Sequence, residues 1–359
     1  MELNKNIAVL CNYRLMPERV GGMDRFFWLF DTECKKLGYK IIWFFPNKEH
    51  HQEYANLTIV AINGKSVEQT FLAYGQTFEV VFTHFLELCT SFYKVVKKEK
   101  LAFKIISVDH NSRPIGGYPI KKRIIKWLKG KLYSRYIDLF ISVSNYTKKE
   151  IIKDFGIFNH SKIHTIYNGI DVNLFKKRQI RNTSKPSFLV ASHLVYTKGV
   201  QDLIQSVSLL PNSIKSEIVI DIYGTGSYEM NLVKLVEELR LENNFKFLGS
   251  VPNLFDIYCQ YDYLLQPTHM ECFSLAILES LSANVPVITT PVGGNEEVIK
   301  NGINGFNLDD VVLKTVGSWM DLLESIYTKK YGSVSFLNRN EWAKRSRFLM
   351  QRGFSGTMI

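Results

Sequence analysis

No stretch of this 359-residue chain approaches the ~20 consecutive apolar residues that cross a bilayer, so a transmembrane helix is not expected. Near the start only Ile7-Ala8-Val9-Leu10 is apolar before Asn12 and Arg14, too little for a signal-peptide core, and the expected location is the cytoplasm. The five cysteines, Cys11, Cys34, Cys89, Cys259 and Cys272, form no CxxC pair and no metal-ligand spacing. Free thiols in a reducing compartment are therefore expected, with no metal site. Gly224-Thr225-Gly226 lacks the third glycine of a nicotinamide-binding fingerprint, since position 229 is Glu229. No segment of solenoid length repeats. One further absence is local: from Lys121 to Arg135 there is not one acidic residue.

What is present suits two globular α/β domains. A chain of this length exceeds one ordinary α/β core, and its 46% hydrophobic and 22% charged content lies in the normal folded range. Short apolar runs at 7–11, 40–45, 80–83, 103–108, 139–143 and 163–167 alternate with helical patterns such as 23–37, the signature of βαβ units and a parallel sheet. Asn168-Gly169-Ile170-Asp171 and the polar stretch 176–185 interrupt the rhythm. It restarts with strands at 187–191, 217–223, 245–248, 263–266 and 285–289 and helices at 200–210, 227–239 and 273–283. The expectation is two doubly wound domains, 1–172 and 173–340, facing across a cleft, with 341–359 as a C-terminal piece whose Trp342–Met350 helix crosses back to the first domain.

The densest chemical signal is Pro267-Thr268-His269-Met270-Glu271-Cys272-Phe273-Ser274-Leu275-Ala276-Ile277-Leu278-Glu279. Glu271 falls in the loop after a strand, Ser274 and Leu275 open a helix, and Glu279 lies two turns inside it. A helix start presents unpaired N–H groups and a positive dipole end, which suit a phosphate. Eight helical residues span about 12 Å, the distance scale from a sugar ring to the ribose of its nucleotide. Two glutamates eight apart are usually coincidence; the flanking text decides otherwise.

That segment resembles the E-x7-E motif of the family 4 glycosyltransferases, which adopt the GT-B fold of two Rossmann-like domains. Further pieces match in order. Gly21-Gly22 is similar to the family's glycine loop, Asn168-Gly169-Ile170-Asp171 to its hinge text, and Lys198-Gly199 after Leu194 to the end of its GRLxxxKG segment. Tyr223-Gly224-Thr225-Gly226, Phe247-Leu248-Gly249-Ser250-Val251 and Thr290-Pro291-Val292-Gly293-Gly294 resemble segments that follow.

The resemblance implies a retaining, metal-independent enzyme using a nucleotide diphosphate sugar, most often uridine-linked, with no other cofactor; no DxD text is present. It implies that Lys198 and the Ser274–Leu275 amides hold the diphosphate, that Glu271 positions the sugar and that Glu279 takes the ribose. Gly21 and Gly22 would approach the phosphates, Ser250 and Val251 would border the base pocket, and Phe273 would line the site. Where the family has an arginine this chain has His193, which could donate one hydrogen bond instead. After the strand at 103–108, His110 takes the place of a family histidine near the transferred sugar, with His84 a weaker candidate and Asp109 a loop carboxylate.

The acid-free stretch carries Lys121, Lys122, Arg123, Lys126, Lys129, Lys131 and Arg135, interleaved with Ile124, Ile125, Trp127, Leu128 and others. At helical period the apolar residues fall largely on one side, as in an interfacial helix. In a chain whose formal charge is +11, this stretch reads as a solvated face or as a landing surface for anionic lipid. The latter suits a lipid-linked or glycan acceptor in cell-surface polysaccharide synthesis, made at the inner face of the cytoplasmic membrane. No nucleic-acid reading motif accompanies the charge. A phosphorylase or nucleotide-sugar epimerase shares this fold and chemistry, and a non-enzymatic basic membrane- or nucleic-acid-binding protein is the reading of another class.

Overall fold

The unbroken apolar runs become strands buried on both faces, which is what a parallel sheet sandwiched between helices requires. In the computed structural model, residues 5–62, 65–114, 116–156, 160–179, 185–308 and 315–327 are described. The expected helix at Trp342–Met350 and the piece 341–359 lie outside them. The chain divides into two compact units, the first comprising 5–17 and Met23–Gly169 and the second Glu18–Gly22 and 170–327.

The first unit holds β1 (Asn6–Cys11), β2 (Lys40–Phe45), β3 (Ile59–Ala61), β4 (Phe78–His84), β5 (Ala102–Asp109), β6 (Leu139–Ser142) and β7 (Ile163–Thr165). They form one parallel sheet in the order β3-β2-β1-β4-β5-β6-β7. The connecting helices are α1 (Gly22–Lys36), α2 (Val67–Tyr74), α3 (Ser91–Lys98), α4 (Ile120–Tyr133) and α5 (Asn145–Phe155). Local chemistry sets their ends. Ser66 and Gln69 form a capping box before α2, and α5 starts on Ser144 and stops on Gly156, whose φ of 54° a side chain would resist. Residues Ile7 to Cys11 are wholly buried at the centre of the sheet.

The second unit repeats the plan. Strands β8 (Phe188–Ala191), β9 (Ile220–Tyr223), β10 (Phe245–Gly249), β11 (Tyr263–Gln266), β12 (Val287–Thr289) and β13 (Gly305–Asn307) pair in parallel, ordered β10-β9-β8-β11-β12-β13. Around them lie α6 (Val200–Ser208), α7 (Asn212–Lys215), α8 (Glu229–Glu238), α9 (Leu254–Ile257), α10 (Leu275–Ser282), α11 (Asn295–Val298) and α12 (Thr315–Tyr327). Val190, Leu203, Ile222, Leu265 and Trp319 belong to the core on one side of this sheet. In each sheet the strand order reverses once, between β1 and β4 and between β8 and β11. In open α/β sheets, ligands bind outside the carboxyl ends of the strands at such a reversal.

Candidate functional site

At the reversal of the second sheet, two loops meet: the turn from β8 into α6 and the turn from β11 into α10. Gly199 makes this approach possible. Its φ is +69°, and a Cβ there would fall 1.8 Å from the Pro267 carbonyl oxygen. Hydrogen bonds close the seam, from His269 N–H to Thr197 O at 2.8 Å and between His269 Nε2 and Asp202 Oδ2. A second glycine, Gly293, lies against the other side of the loop, where a Cβ would fall 1.7 Å from Glu271 O. Neither glycine accepts a side chain without moving backbone.

These contacts bring Lys198 and Glu271 together. Lys198 Nζ donates to Glu271 Oε2 at 2.8 Å, with both side chains partly exposed. Glu271 Oε1 accepts from its neighbour's amide, Cys272 N–H, at 3.0 Å. Ser274, buried, is the N-cap of α10 and accepts from Ile277 N–H at 3.4 Å, while Leu275 is the first helical residue. The helix starts two residues later than the sequence pattern suggested because Ser274 caps it. Phe273 is buried beneath the loop. Glu279 is buried within α10, where Oε2 accepts from Tyr258 Oη at 2.9 Å. Ser250 and Val251 follow Gly249, which turns the chain out of β10 with φ +69° and is half-buried like them.

His193 stands two residues past β8, in a loop sealed against the turn after β9. Leu194 N–H donates to Thr225 O at 3.0 Å, and a Cβ on Gly226 would fall 2.1 Å from Leu194 O. The imidazole Nδ1 lies 2.7 Å from Thr225 O. A carbonyl only accepts, so Nδ1 carries the proton. Partial desolvation, then the charge of Arg19 in the 18–22 segment, lower its pKa, and Lys198 adds to this against the Thr225 bond. The single N–H of the neutral His193 ring is thus engaged by Thr225.

The corresponding edge of the first sheet has a different character. His84, the last residue of β4, and His110, just after β5, face each other with Nδ1 and Nε2 2.9 Å apart. Phe26, Phe27 and Phe30 of α1 present edge-on rings around His84. Phe85 stacks on His110 at 4.7 Å between ring centroids, from a backbone φ of +58° that bulky residues rarely adopt. Burial pushes the His84 imidazole well below its usual pKa and brings His110 down to about 4, against the pull of Asp109. Asp109 itself is buried in a charge network the sequence reading missed. Arg113 binds Asp109 Oδ2 at 2.7 Å and Asp154 Oδ2 at 2.8 Å. The signal available was the i, i+4 spacing of Asp109 and Arg113. Gly21 and Gly22 end the loop after β1, Gly22 opening α1.

Lys126 also joins that network, and this corrects its place in the basic patch. It is buried, 3.4 Å from Asp154 Oδ2 and over the Phe155 ring at 4.4 Å. Gly130, one turn on, packs so closely that a Cβ would fall 1.8 Å from Phe155 O. The inward rail of α4 is thus a lysine and a glycine. Lys121, Lys122, Arg123, Lys131 and Arg135 remain exposed, together with Ile120, Ile124, Ile125, Trp127, Leu128 and Leu132. Lys129 is half-buried and pairs with Glu87 at 2.8 Å. Among the described residues no helix is long and apolar enough to cross a membrane, and no three His, Cys, Asp or Glu side chains are grouped to hold a metal ion.

Comparison with known proteins agrees with this layout. Residues 20–174 match the model of Glycosyltransferase Family 4 and residues 171–327 that of Glycosyl transferases group 1. A model of the third three-helix domain of RecX matches 320–359, mostly outside the described residues. Among curated relatives, N-acetyl-alpha-D-glucosaminyl L-malate synthase of Bacillus anthracis is 29% identical over 152 residues, 40% of this chain and 39% of the relative. The phosphatidylinositol N-acetylglucosaminyltransferase GPI3 subunit of Saccharomyces cerevisiae is 27% identical over 209 residues, 56% of this chain and 46% of the relative. The chain thus spans less than half the length of these relatives. Among solved structures, HepE of Anabaena in complex with UDP-glucose superposes with a TM-score of 0.72 at 15% identity, covering 97% of this chain and 94% of that one. That likeness establishes the two-domain GT-B fold.

Proposed function

Since the chain belongs to the family 4 glycosyltransferases of the group 1 type, its two family matches together running from residue 20 to 327, we propose that it moves a hexose-type sugar from a nucleotide diphosphate donor, uridine-linked, to a glycan or lipid-linked glycan, with the anomeric configuration retained. The observation that carries this reading is the meeting of Lys198 and Glu271, 73 residues apart in sequence, beside the start of α10. A structural neighbour that holds UDP-glucose supports the choice of donor.

In the proposed reaction, departure of the nucleotide diphosphate builds negative charge on its phosphates. Lys198 turns from Glu271 to that charge, and the amides of Ser274 and Leu275, at the helix start, add fixed dipoles. Glu271, released, takes the sugar hydroxyls, and Glu279 with Tyr258 takes the ribose. Gly21 and Gly22 leave room for phosphate, Ser250 and Val251 border the base, and Phe273 supports the loop. His110 meets sugar or acceptor hydroxyls. Retention follows from attack on the face the diphosphate leaves, with Glu271 as a positioning group, and Lys198 and α10 do the work of a metal. The exposed cations and apolar side chains of α4 rest on the anionic inner leaflet, about 1 kcal/mol for each cation at the surface.

Thermal shifts with UDP-glucose, GDP-mannose and ADP-glucose test the donor, followed by transfer to a lipid-linked acceptor with the product anomer read by NMR, with and without EDTA. Substitution Glu271→Ala is expected to abolish transfer in a protein that still melts cooperatively; a wild-type rate defeats the assignment. Donor incubated alone that emerges with an altered sugar makes the enzyme an epimerase, and inorganic phosphate serving as acceptor makes it a phosphorylase.

A further inference from the structure

His193 is fixed in orientation and tautomer. Its ring is pinned by the bond from Nδ1 to Thr225 O, 2.7 Å, in a loop that Gly226 and the Leu194–Thr225 hydrogen bond hold rigid. The neutral ring has one N–H, so Nε2 carries a bare lone pair. His193 is exposed, and the charged groups acting on it are Arg19 and Lys198. The β9–α8 loop meets it with the Thr225 carbonyl. Lys198 is itself engaged by Glu271 at 2.8 Å.

A phosphate oxygen brought to Nε2 would meet lone pair with lone pair, so the empty-site ring opposes an anion at this corner. One proton reverses the interaction: taken from solvent onto the Nε2 lone pair, it turns the ring into a cation that keeps its bond to Thr225 and donates a second, charge-assisted one. Arg19 and Lys198 disfavour that proton while the site is empty, and a diphosphate cancels their effect. We propose that His193 is a proton-coupled ligand of the donor diphosphate, entering binding as a neutral ring and leaving it as an imidazolium. The inference rests on the donor-binding reading above.

The consequence is a pH-dependent affinity confined to donor binding. Between the pKa of the empty site, below the usual histidine value, and that of the loaded site, uptake of one proton weakens binding about tenfold for each unit of rising pH. A sugar-linked diphosphate is the right probe, because it has no phosphate ionisation near neutrality, unlike a terminal phosphate with a second pKa of about 6. Calorimetric titration of the full chain with UDP-glucose, GDP-mannose or ADP-glucose, in two buffers of different ionisation enthalpy, counts the proton directly. The expected result at pH 7.5 is uptake of about 0.5 to 1 proton per site. His193→Arg is expected to bind as tightly at pH 8 as at pH 6.5 with no uptake, and His193→Gln to bind weakly at both. Binding without proton uptake, or uptake that survives in His193→Arg, which would move the proton to another group such as His269, overturns the proposal and leaves the donor site standing. Binding of none of the three nucleotide sugars removes the donor site and the proposal with it.

Discussion

At the carboxyl end of the first sheet two imidazoles share one hydrogen bond inside a wall of phenylalanines, whereas at the second a lysine and a glutamate meet partly in water. Both edges arise from the same topology, a strand-order reversal in a parallel sheet. The difference comes from what flanks it. Helix α1 supplies Phe26, Phe27 and Phe30 to the first edge, and burial keeps His84 and His110 uncharged. The second edge is walled by short turns with close glycines, and its Lys198 and Glu271 side chains stay partly exposed. One fold plan thus yields an edge whose polar and charged groups are buried and one whose ion pair is partly exposed.

Substitutions that move charge sharpen the contrast. The largest effect is expected at Arg113, whose removal leaves buried Asp109 without its guanidinium and Asp154 with Lys126 alone. Arg113→Ala should lower stability by about 3–5 kcal/mol, read as the denaturation midpoint of the first unit. A fall below 1 kcal/mol would mean that these charges are solvated, and the contrast between edges would fail. Next comes Lys198→Ala, expected to cut turnover by roughly 10²–10³ while changing stability by less than about 1 kcal/mol, because the pair is partly exposed. Unchanged turnover with lost stability would make the pair a structural rivet.

The smallest effect is acidification. His84 and His110 are neutral when folded and titrate near 6.5 when unfolded, so below that pH the unfolded chain binds more protons and stability drops. Between pH 7 and pH 6 the expected loss is about 1 to 2 kcal/mol for the two rings together, with little change above pH 7 from this source. Paired melts of wild type and His84→Phe/His110→Phe check it; the double variant should show a flatter profile.

The strands at the centre of each sheet were legible because a parallel strand covered on both faces must be an unbroken apolar run, as Ile7 to Cys11 is. The edge strands β3 and β13, three residues each, leave no such run and were not anticipated. Lys198 and Glu271 were legible as separate motifs, and their contact was not, since it depends on how closely Gly199 and Gly293 let two loops approach. The same holds for His84 with His110 and for Arg113 with Asp154, pairs joined across elements rather than along one. Lys126 was misplaced for a plainer reason. Helical periodicity marks Ile120, Ile124 and Leu128 as one face, and that face is the outer one.

That helix has a further bearing on how its sequence is constrained. Lys126 and Gly130 of the fourteen residues in α4 are buried and Lys129 and Tyr133 half-buried, so architecture leaves ten exposed letters to be chosen by whatever the surface meets. Drift on an indifferent surface would scatter carboxylates among those ten, and none is there. The composition of α4 is therefore a record of its surroundings, kept in a part of the molecule where folding imposes almost no dictation of its own.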